Sequence, residues 1–240
     1  MSQWSFTVGG VTVDSVFQQY VCTQDPHLLR GELLSRPVGF DGVEEFFRSL
    51  DYDQQFQVLA AQLEIKEEFT PATGCRMSIN VDHSLLGTDA QRDAFIALLS
   101  RFPTPATFEF TETNPMPPVE ASNLLLRRVR ELGHLSALDD FGTGLNGMSL
   151  LSDYDFDVVK VDRSLTFDIA ARVEKQKTLR LINRMLAVLG KRHVMEGIDD
   201  DDVYRLLSKA GFTTFQGYLF DEPMQLDNVV SRLASVEVGS

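Results

Sequence analysis

Five carboxylates, two amides and one lysine stand where short apolar runs end, and these residues carry whatever chemistry the chain has. Met77-Ser-Ile79 leads to Asn80, Phe108 to Glu109, Leu135-Ser-Ala-Leu138 to Asp139 and Asp140, and Val158-Val159 to Lys160. His193-Val-Met195 leads to Glu196, Thr213-Thr-Phe215 to Gln216, and an earlier strand ends at Glu32. If the runs are parallel strands of a closed barrel, their C-terminal ends share one mouth. That many carboxylates repel one another unless cations are bound. Hard oxygen donors select Mg²⁺, Mn²⁺ or Ca²⁺ over zinc, which prefers histidine and cysteine. Adjacent Asp139 and Asp140 would let one carboxylate bridge two ions while its neighbour holds the second. Two ions about 3.5–4 Å apart are the usual device for in-line displacement at phosphorus. A lysine among the acids would orient or deprotonate a water, or neutralise charge on the phosphorane.

The ordinary reading of each position alone is structural, and only the joint pattern carries weight. A glutamate at a strand end is usually solvated or caps a helix. His27, His83, His134 and His193 show no metal-ligand spacing and read as structural or surface. Asp200-Asp-Asp202 reads as an exposed N-cap and first turn, favoured by the helix dipole. Phe46, Phe47, Phe95 and Phe102 read as core.

The elements that must position the set share one grammar in the C-terminal half. Ala121, Leu125, Val129 and Leu132 recur at helical spacing, Gly133 stops the helix, and a strand follows. Ile182, Met185, Leu186 and Leu189 do the same before Gly190, as do Val203, Leu206, Leu207 and Ala210 before Gly211. Strand and helix in alternation imply a parallel sheet with helices outside it. Adding strands at Phe17–Cys22 and before Glu32 gives roughly eight, which favours an α/β (β/α)8-type barrel over an open sheet. Asn114–Pro118 reads as one loop rather than a linker, so residues 1–240 read as a single domain.

Bulk properties exclude other classes. The formal charge is −13 (22 Lys+Arg against 35 Asp+Glu), which argues against duplex nucleic acid and against an anionic membrane surface. A 43% hydrophobic share rules out disorder as the main state. Cys22 and Cys75 cannot form a disulfide framework. No basic and apolar leader opens the chain, and the most apolar stretch, Leu179–Leu189, is broken by Arg180, Asn183 and Arg184. The expected location is cytoplasmic.

The motifs then become recognisable. Glu32-Leu33-Leu34-Ser35-Arg36 stands where the EAL-domain family has Glu-Ala-Leu-x-Arg, and Asp139-Asp140-Phe141-Gly142-Thr143-Gly144 is its DDFGTG motif in full. Lys160-Val161-Asp162 is similar to its KxD, Glu196-Gly197-Ile198-Asp199 to its EGVE, and Gln216-Gly217-Tyr218 to its QGY. Asn80, Glu109-Phe110-Thr111-Glu112 and Phe17-Gln18 match the remaining Asn, ExTE and Tyr-Gln-Pro positions. The chain thus resembles the EAL-domain family of bacterial cyclic di-GMP phosphodiesterases from about residue 17 to 223. The resemblance implies a modified TIM barrel whose first strand runs antiparallel. It implies that Glu32, Asn80, Glu109, Asp139, Asp140 and Glu196 ligate two Mg²⁺ or Mn²⁺ ions. Lys160 would act on the nucleophilic water together with Glu32 and Asp139, and the product would be linear pGpG. Gln18, Leu34, Arg36, Asp162 and Gln216 would line the dinucleotide, with Asp162 beside Lys160 and Arg36 a phosphate donor. Glu112 and Asp199 would brace the ligands, and Glu112 the DDFGTG loop. Family members often form homodimers through the segment after DDFGTG, which here reads Leu145-Asn146-Gly147. A catalytically silent receptor or adaptor that binds cyclic di-GMP or a protein is the alternative. It would normally lack metal ligands, and none is missing.

Overall fold

The computed structural model describes residues 3–40, 42–111, 116–143 and 147–237. The chain enters as a hairpin: β1 (Ser5–Val8) turns into the long β2 (Val11–Cys22), which runs antiparallel to β3 (Arg30–Pro37). Helices α1 (Val43–Ser49) and α2 (Tyr52–Thr73) follow. Then strand and helix alternate: β4 (Arg76–Asn80), α3 (Asp89–Leu99), β5 (Thr107–Thr111), α4 (Val119–Glu131), β6 (Leu135–Phe141) and α5 (Gly147–Asp153). The second half continues with β7 (Val158–Val161), α6 (Arg163–Thr166), α7 (Val173–Val188), β8 (Arg192–Met195), α8 (Asp201–Lys209) and β9 (Thr214–Phe215). It ends with β10 (Met224–Gln225) and α9 (Leu226–Glu237). Neighbours from β3 to β9 are parallel, and β2 pairs antiparallel with both β3 and β9, so β2 to β9 close an eight-stranded barrel. The expected barrel with one antiparallel strand is therefore present.

One expectation about strands needs correction. The strand bearing Glu32 does not end there; it continues to Pro37, because β2 pairs with it from Tyr20↔Arg30 to Val13↔Pro37. The ring itself has the expected eight strands, β2 to β9, and β1 and β10 pair with β2 outside it.

Strand side chains alternate between the two faces, and this parity sorts the barrel wall. Outward, Phe17, Leu33, Ile79, Phe108, Leu138, Val159, Met195 and Phe215 join helix residues such as Leu63, Phe95, Leu126 and Leu186 in one large core. Inward, Tyr20, Ala137, Val158 and Val194 form a separate small cluster that plugs the lumen. One step further along each strand the inward residues become polar, and that layer is the mouth. The helices end where expected: Gly133 and Gly190 adopt φ of 87° and 66°, a left-handed stop that a Cβ disfavours. Asp200 caps α8 by accepting from the backbone N–H of Asp202 and Val203. Phe46, Phe95 and Phe102 are buried, and Phe47 packs partly buried on a satellite cluster with Phe46 and Val58.

Two of the histidines are structural in a way that makes the fold sensitive to acid. His193 Nε2 accepts from the backbone N–H of Thr213 at 2.9 Å, and His134 Nδ1 accepts from that of Ala106 at 3.3 Å. Each ring also meets an aromatic edge, Phe212 and Phe108 respectively. Burial lowers both imidazoles to about 4 from the usual 6.5, with Lys66 adding to the effect at His134. Between those values the unfolded chain binds more protons than the native one, so this stability is present above pH 6.5 and is lost toward pH 4. The expected loss is roughly 1–2 kcal/mol per imidazole between pH 7 and pH 5. Urea midpoints at both pH values will show it, and His193→Gln should lose less than wild type. An equal loss in the variant would sink the assignment.

Candidate active site

The mouth is organised around Lys160. It is the third residue of β7, inward by parity and 2% exposed. Its ammonium lies 2.7 Å from Glu109 Oε2, 2.9 Å from Asp139 Oδ1, 2.9 Å from Glu196 Oε1 and 3.3 Å from Glu32 Oε2. These acids come from β5, β6, the end of β8 and β3, so barrel closure itself assembles the cluster. Glu32 also accepts from Asn80 Nδ2 at 2.6 Å and from Gln216 Nε2 at 3.0 Å. Gln216 Nε2 is in turn 3.1 Å from Gln18 Oε1.

Asp139 and Asp140 pose a problem of parity, because adjacent strand residues should face opposite sides. The backbone solves it with Asp140 at φ 57° and a register shift between Leu138 and Phe141. Aspartate tolerates the left-handed region better than most residues, and a bulge re-aims a side chain. As a result, Asp139, Asp140 and Glu196 each place a carboxylate oxygen within 4.8 Å of the others, close enough to share one cation.

One positive charge cannot balance three buried carboxylates and a fourth, Glu196, that is half-buried. Burial drives Glu109 well above the usual carboxylate range despite Lys160, and drives Glu196 up to about 8. At Glu32 burial is outweighed by Lys160 and by donors from Gln216 and Asn80, so its carboxyl is lowered. Lys160 is raised well above its ordinary value, its four carboxylates overcoming burial. Cations bound among these acids would favour their ionised forms. Two buried acceptors also lack a hydrogen-bond donor: Gln216 Oε1, and Asp139 Oδ1, whose contact with Lys160 is ionic but poorly directed. Oxygen-only donors, excess negative charge and orphaned acceptors all fit hard divalent cations.

The remaining expected residues are placed as follows. Leu34 and Arg36 lie two and four residues beyond Glu32 on the same face of β3, both partly buried. Asp162 caps α6 through the Ser164 N–H at 2.8 Å, one residue after β7 ends. Asp199 accepts from the Tyr218 N–H at 3.2 Å and lies 3.9 Å from Arg163, which ties the EGVE-like segment to the QGY-like one. Glu112, Leu145 and Asn146 lie outside the described residues.

Tyr20 and Ser78 belong to the site and were not anticipated. Tyr20 donates to Glu109 Oε1 at 2.9 Å and lies 2.7 Å from Ser78 Oγ. Burial and neighbouring Glu109 raise its phenol well above the usual value, so it remains a donor. The signal was parity: Tyr20 is two residues from Gln18, and Ser78 two from Asn80.

A closed barrel, parallel but for one strand, with an acidic, lysine-centred mouth is an enzyme-like architecture. The family model described as EAL domain matches residues 17–223, and the chain belongs to that family. A cyclic di-GMP phosphodiesterase of Pseudomonas aeruginosa is 33% identical over 152 residues, covering 62% of this chain and 26% of that protein. The chain thus corresponds to about a quarter of that relative's length. The EAL domain of Mycobacterium smegmatis DcpA superposes with a TM-score of 0.73 at 20% identity, covering 92% of this chain and 95% of that one. Klebsiella pneumoniae BlrP1, in a manganese and cyclic di-GMP complex, gives 0.77 at 25% identity, covering 89% of this chain and 56% of that one. Among the described residues, no helix is long and apolar enough to cross a membrane.

Proposed function

We propose that the chain hydrolyses cyclic di-GMP to linear pGpG with the help of two divalent cations, Mg²⁺ or Mn²⁺. The observation that carries this is Lys160 held within 3.3 Å of four carboxylates from four parts of the barrel. The named activity of the Pseudomonas relative and the manganese and cyclic di-GMP complex of BlrP1 support it. Glu32, Asn80, Glu109, Asp139, Asp140 and Glu196 would hold the ions. Cations bound there would neutralise phosphate charge and acidify water.

The chain's own groups do the rest. Gln18 and Gln216, joined by a hydrogen bond, form an amide floor for the nucleotide. Arg36, on the Glu32 face of β3, supplies a charged donor to phosphate. Lys160 is protonated in its nest of acids, so it works as a fixed charge and donor beside the reacting phosphate. A water oxygen bonds to phosphorus and gives up a proton to solvent, the bond from phosphorus to the ribose 3′-oxygen breaks, and that oxygen takes up a proton.

Purified protein incubated with cyclic di-GMP and Mn²⁺ should release pGpG, and Glu32→Ala should lower the rate by about 10²-fold or more. Tight binding of the nucleotide with metal present but no pGpG above the Glu32→Ala control would establish the receptor instead.

A further inference from the structure

Glu109 presents its two oxygens to different partners. Oε2 faces Lys160 at 2.7 Å, on the side of the mouth, while Oε1 is taken from below by the Tyr20 phenol at 2.9 Å. In that contact the phenol O–H donates and Glu109 Oε1 accepts. Its single proton being used, the phenol oxygen accepts from Ser78 at 2.7 Å. The order Ser78 to Tyr20 to Glu109 follows, a chain in which each bond polarises the next.

The strut is rigid because of what lies under it. Tyr20 comes from β2, yet its partners are on β4 and β5, so the side chain reaches across the lumen rather than along the sheet. Its ring packs on Ala137, Val158 and Val194, the apolar plug of the barrel. With ring and hydroxyl both fixed, Glu109 can neither turn its carboxylate nor offer both oxygens upward. A buried phenol would be satisfied by Ser78 alone; the second contact serves Glu109.

Resting on the metal-dependent reading above, we propose that Tyr20, backed by Ser78, is a positioning residue that holds Glu109 as a one-oxygen ligand for cation. Such outer partners, when removed, typically weaken metal affinity about 10–100-fold.

Metal-free protein should be titrated calorimetrically with Mn²⁺ alone, comparing wild type, Tyr20→Phe and Tyr20→Phe/Ser78→Ala. The Tyr20→Phe protein keeps the ring, so its Mn²⁺ dissociation constant should rise about 10-fold or more. The double variant no longer buries an unpaired serine, so its metal-free thermal midpoint should recover toward wild type while its Mn²⁺ affinity stays weak. At saturating Mn²⁺ the KM for cyclic di-GMP should remain within about twofold of wild type, because the defect lies in metal capture. Wild-type Mn²⁺ affinity in Tyr20→Phe, or affinity that recovers with stability in the double variant, overturns the role of Tyr20 and leaves the phosphodiesterase reading intact. A wild-type protein that binds Mn²⁺ but releases no pGpG overturns that reading instead, and the affinity ratio between variants still decides the role of Tyr20.

Discussion

Replacing Lys160 by alanine should lower turnover of cyclic di-GMP by about 10²-fold or more, while Mn²⁺ binds at least as tightly as to wild type. The ammonium sits 2.7–3.3 Å from four carboxylates and competes for the oxygens that a cation needs. Removing it leaves the acids more negative toward metal, but withdraws the fixed charge beside the reacting phosphate. In metal-free protein the loss should destabilise the fold by roughly 3–5 kcal/mol, since it strands buried carboxylates, so the variants are compared with Mn²⁺ present. Asp139→Asn is the contrast. It deletes ligand charge, so metal binding and rate should fall together, and excess Mn²⁺ should recover part of the rate. Metal titrations with turnover and nucleotide affinity recorded separately distinguish the two. If Lys160→Ala turned over near the wild-type rate, or were rescued by metal as Asp139→Asn is, the lysine would be a structural counter-ion only.

Much of this site was legible because strand-end position and residue type coincide. Asn80, Lys160, Glu196 and Gln216 each close or follow a short apolar run, and parallel closure does bring them together. Other features needed three dimensions. The closing strand β2 is antiparallel, and period-2 alternation reads the same in both directions, so only the motif resemblance indicated it. The bulge that turns Asp140 toward Asp139 is a backbone event at φ 57° that residue identity permits but does not announce. Tyr20 was hidden for another reason: an aromatic in a strand ordinarily reads as core, and its ring is core, while only its hydroxyl reaches Glu109. The helix stops, by contrast, were plain, because glycine tolerates the left-handed conformation that ends a helix.

Gly31→Ala should lower stability by about 3 kcal/mol and the thermal midpoint by roughly 6–12 °C, and should remove most turnover. Gly31 precedes Glu32 in β3 and faces the outer side of the wall, where the Phe17 ring lies across it. A Cβ there would stand 2.3 Å from the Gln18 carbonyl oxygen and 2.4 Å from Phe17 Cζ. A ring can swing aside, whereas the carbonyl belongs to the β2 backbone and moves only if the strands part. Those strands hold Gln18 opposite Glu32, and β2 also closes the barrel against β9. Parting them would therefore separate the amide floor from Glu32 and strain closure at once. A missing side chain on the outside of the wall thus sets the position of a carboxylate on the inside. Thermal unfolding and the pGpG assay on one preparation test this. A midpoint within about 2 °C of wild type, with turnover intact, would show that β2 yields to the methyl group, because each kcal/mol moves the midpoint by roughly 2–4 °C in a chain of this size.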